Sequence, residues 1–432
     1  MSAESASPSS KIQGSRDLLL VSHNFPPTQG PESLLVGMNA KSLHDFGWNV
    51  TALTTTSRHA RQGADADLLG VLPPNIEILR ARSWDAYICA AFPRLGRRLV
   101  LWLEQQILPE PYFLWRSPAV SAGRQWMQKH TTLPVIYSRA PKFISNVVGL
   151  DLKRATGAPW VAHFSDPWTK VPRRGGKRVD RLTHRLEREI VAEADAVIFV
   201  SEQTAEAIMK QYPEAWRKKV HVIPHGYLSL KIPPVPAKSE KGRPLRAMHA
   251  GSFYPGFREP DSLFKAIAEL HSRQSLLGRF ELLCVGPDST RYQKDLEALG
   301  IQKLVVLRDS VSFNECQRLV AEADLLVVID TPNLGGLFLP TKLIEYMAFE
   351  KPILGLAEPG SAVAEVLHHC GLPNANIADP ASCAKVLRRW LDSWEGSSWA
   401  LPQASLDAMR SYELQRVNTA LNNLLHELAA RK

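Results

Sequence analysis

The feature that most constrains this chain is a repeated alternation of short apolar runs with longer stretches of helical spacing. Asp17-Leu18-Leu19-Leu20-Val21-Ser22 ends at His23 and a Pro/Gly loop, FPPTQGPES. A segment with Leu34, Leu35, Met38, Leu43 and Phe46 follows and stops at Gly47, and Trp48–Leu53 is the next run. Strand, loop, helix, strand is a parallel β-α-β unit. Runs of this kind recur at Pro134–Tyr137, Trp160–Phe164, Ala196–Val200 and Val220–Ile223. After a proline-rich, polar interruption, KIPPVPAKSEKGRP, a second series begins: Arg246–Gly251, Phe280–Gly286, Leu304–Leu307, Asp324–Asp330 and Pro352–Gly355. The expected fold class is α/β: two tandem Rossmann-like, doubly wound parallel-sheet domains facing across a cleft.

The 432 residues suit two domains of roughly 200 residues each. The expected division is a loose tail 1–16, a first domain 17–230, a linker 231–244, a second domain 245–400 and a C-terminal segment 401–432. MSAESASPSSKIQGS lacks the apolar core of a secretory signal, and no run approaches the roughly 20 apolar residues of a membrane span. The five cysteines include no CxxC pair and read as free thiols in a reducing compartment. A cytoplasmic location is therefore expected. The net charge of +9 is uneven. Up to Ile232 there are 30 Lys+Arg against 20 Asp+Glu, and after it 22 against 23. The first half should meet something anionic, such as a membrane surface, a phosphorylated lipid or a nucleic acid.

Four stretches carry candidate chemistry. In PTKLIEYMAFEKP, Thr341 is a fitting N-cap and Lys342 falls in the first helical turn, where the helix dipole disfavours a cation. An anion such as a phosphate resolves that misfit. Glu345 lies three residues on, where a carboxylate suits a ribose diol. The competing reading is a solvated Lys–Glu pair on an exposed face. HAGSFYPGFREP follows the first strand of the second series. Gly251 lets a backbone approach a ligand and Arg258 can fork onto a diphosphate, or the segment is a glycine turn with a surface arginine. VAHFSDPW puts His163 and Asp166 at the carboxyl edge of the first sheet, facing the cleft, although Asp before Pro is also turn chemistry. HNFPPTQGPES has one glycine, Gly30. No GxGxxG, Walker A, HExxH or GxSxG pattern occurs, and Asp65-Ala66-Asp67 is DxD in form only.

These stretches, with EADAVIFVSEQTAE and KVHVIPHGY, fall in the order of the GT-B-fold glycosyltransferases. The chain resembles the family-4 retaining enzymes that use nucleotide sugars, from about Asp17 to the last helix. The resemblance implies a retaining hexosyltransferase-type enzyme that moves a sugar from a nucleotide-sugar donor to an acceptor. With the basic first half, a glycan or polyprenyl-linked acceptor is expected, in polysaccharide or glycolipid biosynthesis. The resemblance also implies donor binding on the second domain, acceptor binding on the first, and a C-terminal helix, Tyr412–Ala430, crossing back to the first. By position, Glu345 is similar to the family's ribose-binding glutamate, Arg258 to its diphosphate-binding arginine and Lys342 to the lysine of a subgroup with a PxK–ExY signature. Lys342, Thr341 and Gly251 are expected with Arg258 at the donor diphosphate. Gly30 is similar to the glycine loop facing the sugar diphosphate. Asp166, or else His163, stands where the family places a polar side chain near the reacting sugar. No metal or other cofactor is implied, since arginine, lysine and helix N–H groups can hold the leaving diphosphate. One departure stands out: the common pair of glutamates is incomplete, with Leu337 eight positions before Glu345.

Two basic stretches remain. Ile88–Arg116 mixes Arg94, Arg97 and Arg98 with Leu99, Leu101, Trp102 and Trp115. It reads as an interfacial segment on anionic lipid, peripheral at the inner face of a membrane, or as a core helix with a basic outer face. Lys170–Arg188 carries eight basic residues and reads as a basic loop entering a helix, or as a solvated face. Other readings of the whole chain are a GT-B sugar-nucleotide epimerase and a non-catalytic basic protein that binds nucleic acid or glycan. No helix-turn-helix, zinc or RNP-type signature supports a nucleic-acid partner.

Overall fold

Along β1 (Asp17–Val21), Leu18 and Leu20 enter one apolar cluster and Leu19 and Val21 another, and all four are fully buried. A strand covered on both faces has no polar side to present, which is why it reads DLLLV. The computed structural model describes residues 16–56, 63–140, 142–170, 176–229, 242–396 and 399–431. The tail 1–15, residues 230–241 of the linker region and residues 171–175 of the second basic stretch lie outside them.

β1 is joined by β2 (Asn49–Thr55), β3 (Glu77–Ala81), β4 (Val135–Arg139), β5 (Trp160–Phe164), β6 (Ala196–Phe199) and β7 (Val220–Val222). Their order across the sheet is β3-β2-β1-β4-β5-β6-β7, and every pairing is parallel. The second sheet holds β8 (Leu245–Ala250), β9 (Phe280–Val285), β10 (Val305–Arg308), β11 (Leu325–Ile329), β12 (Ile353–Leu356) and β13 (Asn374–Ala375). It is also wholly parallel, in the order β10-β9-β8-β11-β12-β13. The α/β class with two doubly wound sheets is as expected. Each sheet also has a strand that apolar runs do not reveal. In β3 the sequence EILRA is mostly half-exposed at an edge, and β13 is two residues long.

Each sheet starts in its middle and reverses direction between its first and fourth strands. Parallel sheets bind ligands beyond the carboxyl ends of their strands at such a reversal. At the opposite, amino edge the second sheet is braced by two charged side chains. Arg243 forks onto Asp324 at 2.6 and 2.7 Å, tying the entry of β8 to that of β11. Lys351, 2% exposed, donates to the carbonyls of Val320, Ala321 and Ala323 and closes the C-terminal end of the helix Phe313–Glu322. That end carries the negative dipole, so a lysine suits it, although burial lowers its pKa to about 8.

The C-terminal helix Leu414–Ala430 lies on the first sheet's domain. Val417, Leu421, Leu424, Leu425 and Leu428 join the cluster of Leu18, Leu20, Val36 and Leu43. Polar contacts set its register: Trp48 Nε1 donates to Asn422 Oδ1 at 2.9 Å and Ser42 Oγ to Gln415 Oε1 at 2.8 Å. The chain crosses between domains at Tyr227, whose N–H donates to Tyr412 O at 3.1 Å and whose carbonyl accepts from Leu414 N at 2.8 Å. Gly226 lies beside the crossing, where a Cβ would stand 2.7 Å from Leu414 Cα.

The first basic stretch forms a helical hairpin, Trp84–Ala91 and Pro93–Gln106. The second of these helices buries only Gly96 and Val100, so it is not a core helix. Gly96 lets the helices touch: a Cβ there would lie 2.6 Å from Ile88 O. In the other basic stretch, residues from Lys177 onward form the helix Lys177–Glu193, which buries Val179, Leu186, Ile190 and Val191. Its outer face holds Arg185 to Glu189 at 2.7 Å.

Candidate functional site

The carboxyl ends of the two sheets face one cleft of about 670 Å³, lined by both domains. That volume is typical of a small-molecule site. Of the sequence-selected residues, Gly30, Asp166, Gly251, Arg258, Thr341, Lys342 and Glu345 all line it.

The second domain supplies one wall. The helix Thr341–Met347 opens in the cleft, with Pro340 as its N-cap and no side-chain capping bond. Thr341 is therefore the first helical residue and not the cap that its type suggests, because Pro340 already holds the extended entry conformation. Lys342 Nζ donates to Glu345 Oε2 at 2.8 Å. This pair is not on a solvated face: the Glu345 side chain is 10% exposed and that of Lys342 33%. Burial opposes the Lys342 charge, but Glu345 outweighs it, and the lysine pKa lies above its ordinary value. Glu345 Oε1 is buried without a protein partner. Arg258, mostly buried, forms no ion pair within 4 Å among the described residues, and its Nε has no acceptor. Burial lowers its pKa, and Tyr254, Asp330 and Asp166 offset part of that effect. Arg258 and Lys342 both act on His249, which burial chiefly pushes down to about 4. The two cations thus share one neighbourhood.

Glycine is needed on this wall, but not chiefly at Gly251. A Cβ on Gly251 would meet only His249 Nε2, at 3.5 Å, whereas one on Gly286 would lie 2.1 Å from Gly251 O. Gly286 also lines the cleft. Leu337 does not line it; its carbonyl accepts from Thr204 Oγ1 at 2.6 Å, a contact between the domains.

The first domain supplies the other wall. Gly30 caps the helix Pro31–Asp45 with φ 126°, a conformation that favours glycine. Asp166 follows β5, and burial raises its pKa to about 6, opposed by Lys142, Arg258 and Arg139. Arg258 among these is the cation on the facing wall. His163 is misplaced by the sequence reading. It is 2% exposed and does not line the cleft. Its Nδ1 takes the Tyr137 hydroxyl at 2.8 Å, because the β4–β5 register, with Arg139 opposite His163, sets Tyr137 and His163 on one face of the sheet.

Three cleft residues carry no site role in the sequence reading. Glu32, in the first turn after Gly30, is 7% exposed and accepts from Asn24 Nδ2 at 3.1 Å and Lys142 N at 3.3 Å. Burial raises its pKa to about 7. It stands within HNFPPTQGPES, but a first-turn acid reads as ordinary dipole compensation. His225, within KVHVIPHGY, lines the cleft between β7 and the crossing at Tyr227. Asp65 also lines the cleft, and its Oδ2 accepts from Phe313 N across the domains at 3.4 Å, an interdomain role that DxD spacing does not signal. Among the described residues, no group of three or more His, Cys, Asp or Glu is arranged to hold a metal ion.

The glycosyl transferase 4-like domain family matches residues 35–226, and the glycosyl transferases group 1 family matches residues 244–393. No curated protein matches the chain in sequence. Among solved structures, sucrose-phosphate synthase from Thermosynechococcus elongatus is similar with a TM-score of 0.70 at 16% identity, over 96% of this chain and 100% of that one. Anabaena HepE in complex with UDP is similar with a TM-score of 0.64 at 15% identity, over 95% and 99%. The N-terminal domain of Candida albicans trehalose-6-phosphate phosphatase gives 0.68 at 13% identity, over 97% and 98%. At these identities the structures establish a shared fold.

Proposed function

We infer the activity from one premise: the chain belongs to the GT-B glycosyltransferases, with a family-4-like domain followed by a group 1 domain. It is a glycosyltransferase of glycan biosynthesis. Our finer reading is a retaining, hexosyl-type enzyme that takes a nucleotide-sugar donor and extends a glycan or lipid-linked acceptor.

The observation that carries this reading is Arg258. A guanidinium so buried and without an ion pair is costly unless an anion joins it. A pyrophosphate between Arg258 and the Lys342 ammonium meets that need with charge-assisted bonds. The unpartnered Glu345 Oε1 is an open acceptor for a ribose hydroxyl. That UDP is bound in the solved HepE structure agrees with such a donor. As the sugar leaves, charge builds on the diphosphate, and these fixed cations stabilise it without reorganising. In this proposal they perform the task a divalent ion performs elsewhere, and no metal is required. Asp166, ionised above about pH 6, faces the same space from the acceptor side.

A membrane-facing acceptor is favoured by the hairpin Trp84–Gln106. It carries seven of the thirteen large exposed apolar side chains among the described residues, including Trp84, Phe92, Leu95 and Trp102. Arg94, Arg97 and Arg98 are exposed beside them and form no ion pair among the described residues. Arginine on headgroups with tryptophan at the acyl boundary is the chemistry of peripheral seating on an anionic bilayer. No helix of the described residues is long and apolar enough to cross a membrane.

A thermal-shift screen of UDP-, GDP- and dTDP-sugars tests the donor reading. Saturation at 100 times the dissociation constant adds about 2.7 kcal/mol to stability. No shift with any of them removes the reading. Product anomers resolved by NMR decide retention.

A further inference from the structure

Neither the donor cations nor the membrane hairpin uses a second buried guanidinium on the first domain. Arg139 ends β4, is 3% exposed and forms no ion pair among the described residues. Its Nη2 lies 3.1 Å from His225 Nδ1, and its Nη1 lies 3.4 Å from His163 Nδ1. Arginine has donors only, so both imidazole Nδ1 atoms are acceptors. A neutral histidine that accepts at Nδ1 carries its proton on Nε2. His225 is neutral, because burial and then the Arg139 charge push its pKa down to about 3.

The two rings then part company. The His163 Nε2–H is enclosed without a partner. His225 is 3% exposed yet lines the cleft, and its Nε2 has no protein partner and is not among the enclosed atoms. Its donor is left to whatever fills the cleft. The ring is held from two sides. Arg139 fixes the side chain, and the chain crossing of Tyr227 with Tyr412 and Leu414 fixes the backbone two residues on. Arg139 is itself aligned by Tyr137, whose hydroxyl accepts from Arg139 Nη1 at 3.4 Å and from Asn39 Nδ2 at 3.0 Å. Such fixed donors need no reorganisation when a ligand arrives.

We propose that His225 is a substrate-contacting hydrogen-bond donor for an uncharged sugar oxygen, and that Arg139 is the positioning residue that sets its tautomer. The second-domain wall offers cations suited to phosphate, while this wall offers neutral donors, His225 with Gln29 and Ser165, beside the acids Asp65, Asp166 and Glu32. A wall that both donates and accepts without a net call for anions matches a hydroxyl-rich sugar rather than a nucleotide. The inference rests on the cleft being a nucleotide-sugar site. It makes His225 a binding group and never the base.

The test compares UDP with the nucleotide sugar giving the largest thermal shift, and follows slow donor hydrolysis. In His225→Ala the shift from UDP stays as in the unaltered protein, the additional shift from the sugar is lost, and hydrolysis kcat/KM falls roughly tenfold. His225→Asn, which keeps an N–H donor, recovers part of the loss. Arg139→Met loses as much as His225→Ala, and the double variant loses no more than either, since the two act as one unit. Imidazole ¹⁵N spectra, with His225 assigned by its absence in His225→Asn, show the proton on Nε2 in the unaltered protein and need no Arg139 variant. Unchanged kcat/KM in His225→Ala, multiplying losses in the double variant, or a proton on Nδ1 overturns the inference. A protein that responds to no nucleotide or nucleotide sugar overturns the donor-site reading itself, a different outcome from a UDP response with an inert His225.

Discussion

Lys342 and Glu345 form an ion pair at 2.8 Å inside the interdomain cleft, one helical turn apart, with the second carboxylate oxygen of Glu345 unpartnered. The pair holds the ammonium where the helix dipole alone repels it. Lys342→Ala removes a cation from the proposed phosphate site and strands the Glu345 carboxylate. We expect UDP affinity to fall by about ten- to a hundredfold, the worth of one charge-assisted bond. Glu345→Gln keeps an acceptor oxygen and should weaken UDP by less. Calorimetric titration of the two variants with UDP checks the order.

Arg258 should show opposite signs in stability and binding. Without ligand, its buried and unpaired charge is a burden, so Arg258→Met should match or exceed the unaltered protein in thermal stability. With saturating UDP the variant should gain almost nothing. Arg258→Lys should not rescue binding, since a point charge lacks the planar fork. Differential scanning calorimetry with and without UDP reads both effects.

Glu32 makes stability fall as pH rises. Its pKa is near 4.5 in the unfolded chain and about 7 in the folded one. Between those values the folded state holds the extra proton, so its contribution is full below about pH 4.5 and is lost as pH passes 7. The loss is as much as about 3 kcal/mol. Asp166 adds the same sign between 3.8 and about 6. Glu32→Gln, which never ionises, should flatten this part of the profile and exceed the unaltered protein above pH 7. Urea midpoints from pH 5 to 8 test it; a profile with unchanged slope in the variant defeats the assignment.

Two glycines of the cleft should differ sharply. Gly286→Ala drives a Cβ to 2.1 Å from Gly251 O and should cost about 1–3 kcal/mol or more, displacing the loop that carries Gly251. Gly251→Ala meets an ordinary contact at 3.5 Å and should be nearly neutral in stability. Melting temperatures of the two variants decide.

The hairpin should govern lipid binding apart from donor binding. Replacing Arg94, Arg97 and Arg98 by Glu should abolish flotation with vesicles containing anionic lipid, at about 1 kcal/mol for each cation lost. The shift from nucleotide should remain. Equal flotation of variant and unaltered protein removes the membrane proposal.

Much of the fold was legible because strands buried on both faces are apolar at every position, as in DLLLV and LLVVI. The edge strands β3 and β13 were not, since an exposed or two-residue strand bears no such mark. In the cleft, Lys342, Glu345 and Arg258 could be picked out because a charge beside an apolar packing unit conflicts with its surroundings. Glu32 and Arg139 could not. An acid in a first helical turn and an arginine at a strand end look ordinary until their burial is known.

By itself, the sequence determined two parallel sheets in tandem and a cationic feature at the mouth of the second, because hydrophobic periodicity and local helix electrostatics act over a few neighbouring residues. Only the tertiary structure decided that Asp166 reaches the cleft while His163 is folded away, and that Arg139 meets His225 across 86 residues of chain. Such placements depend on which strands pair and where the chain crosses between domains, and burial of that kind, not residue type, sets which proton a side chain carries.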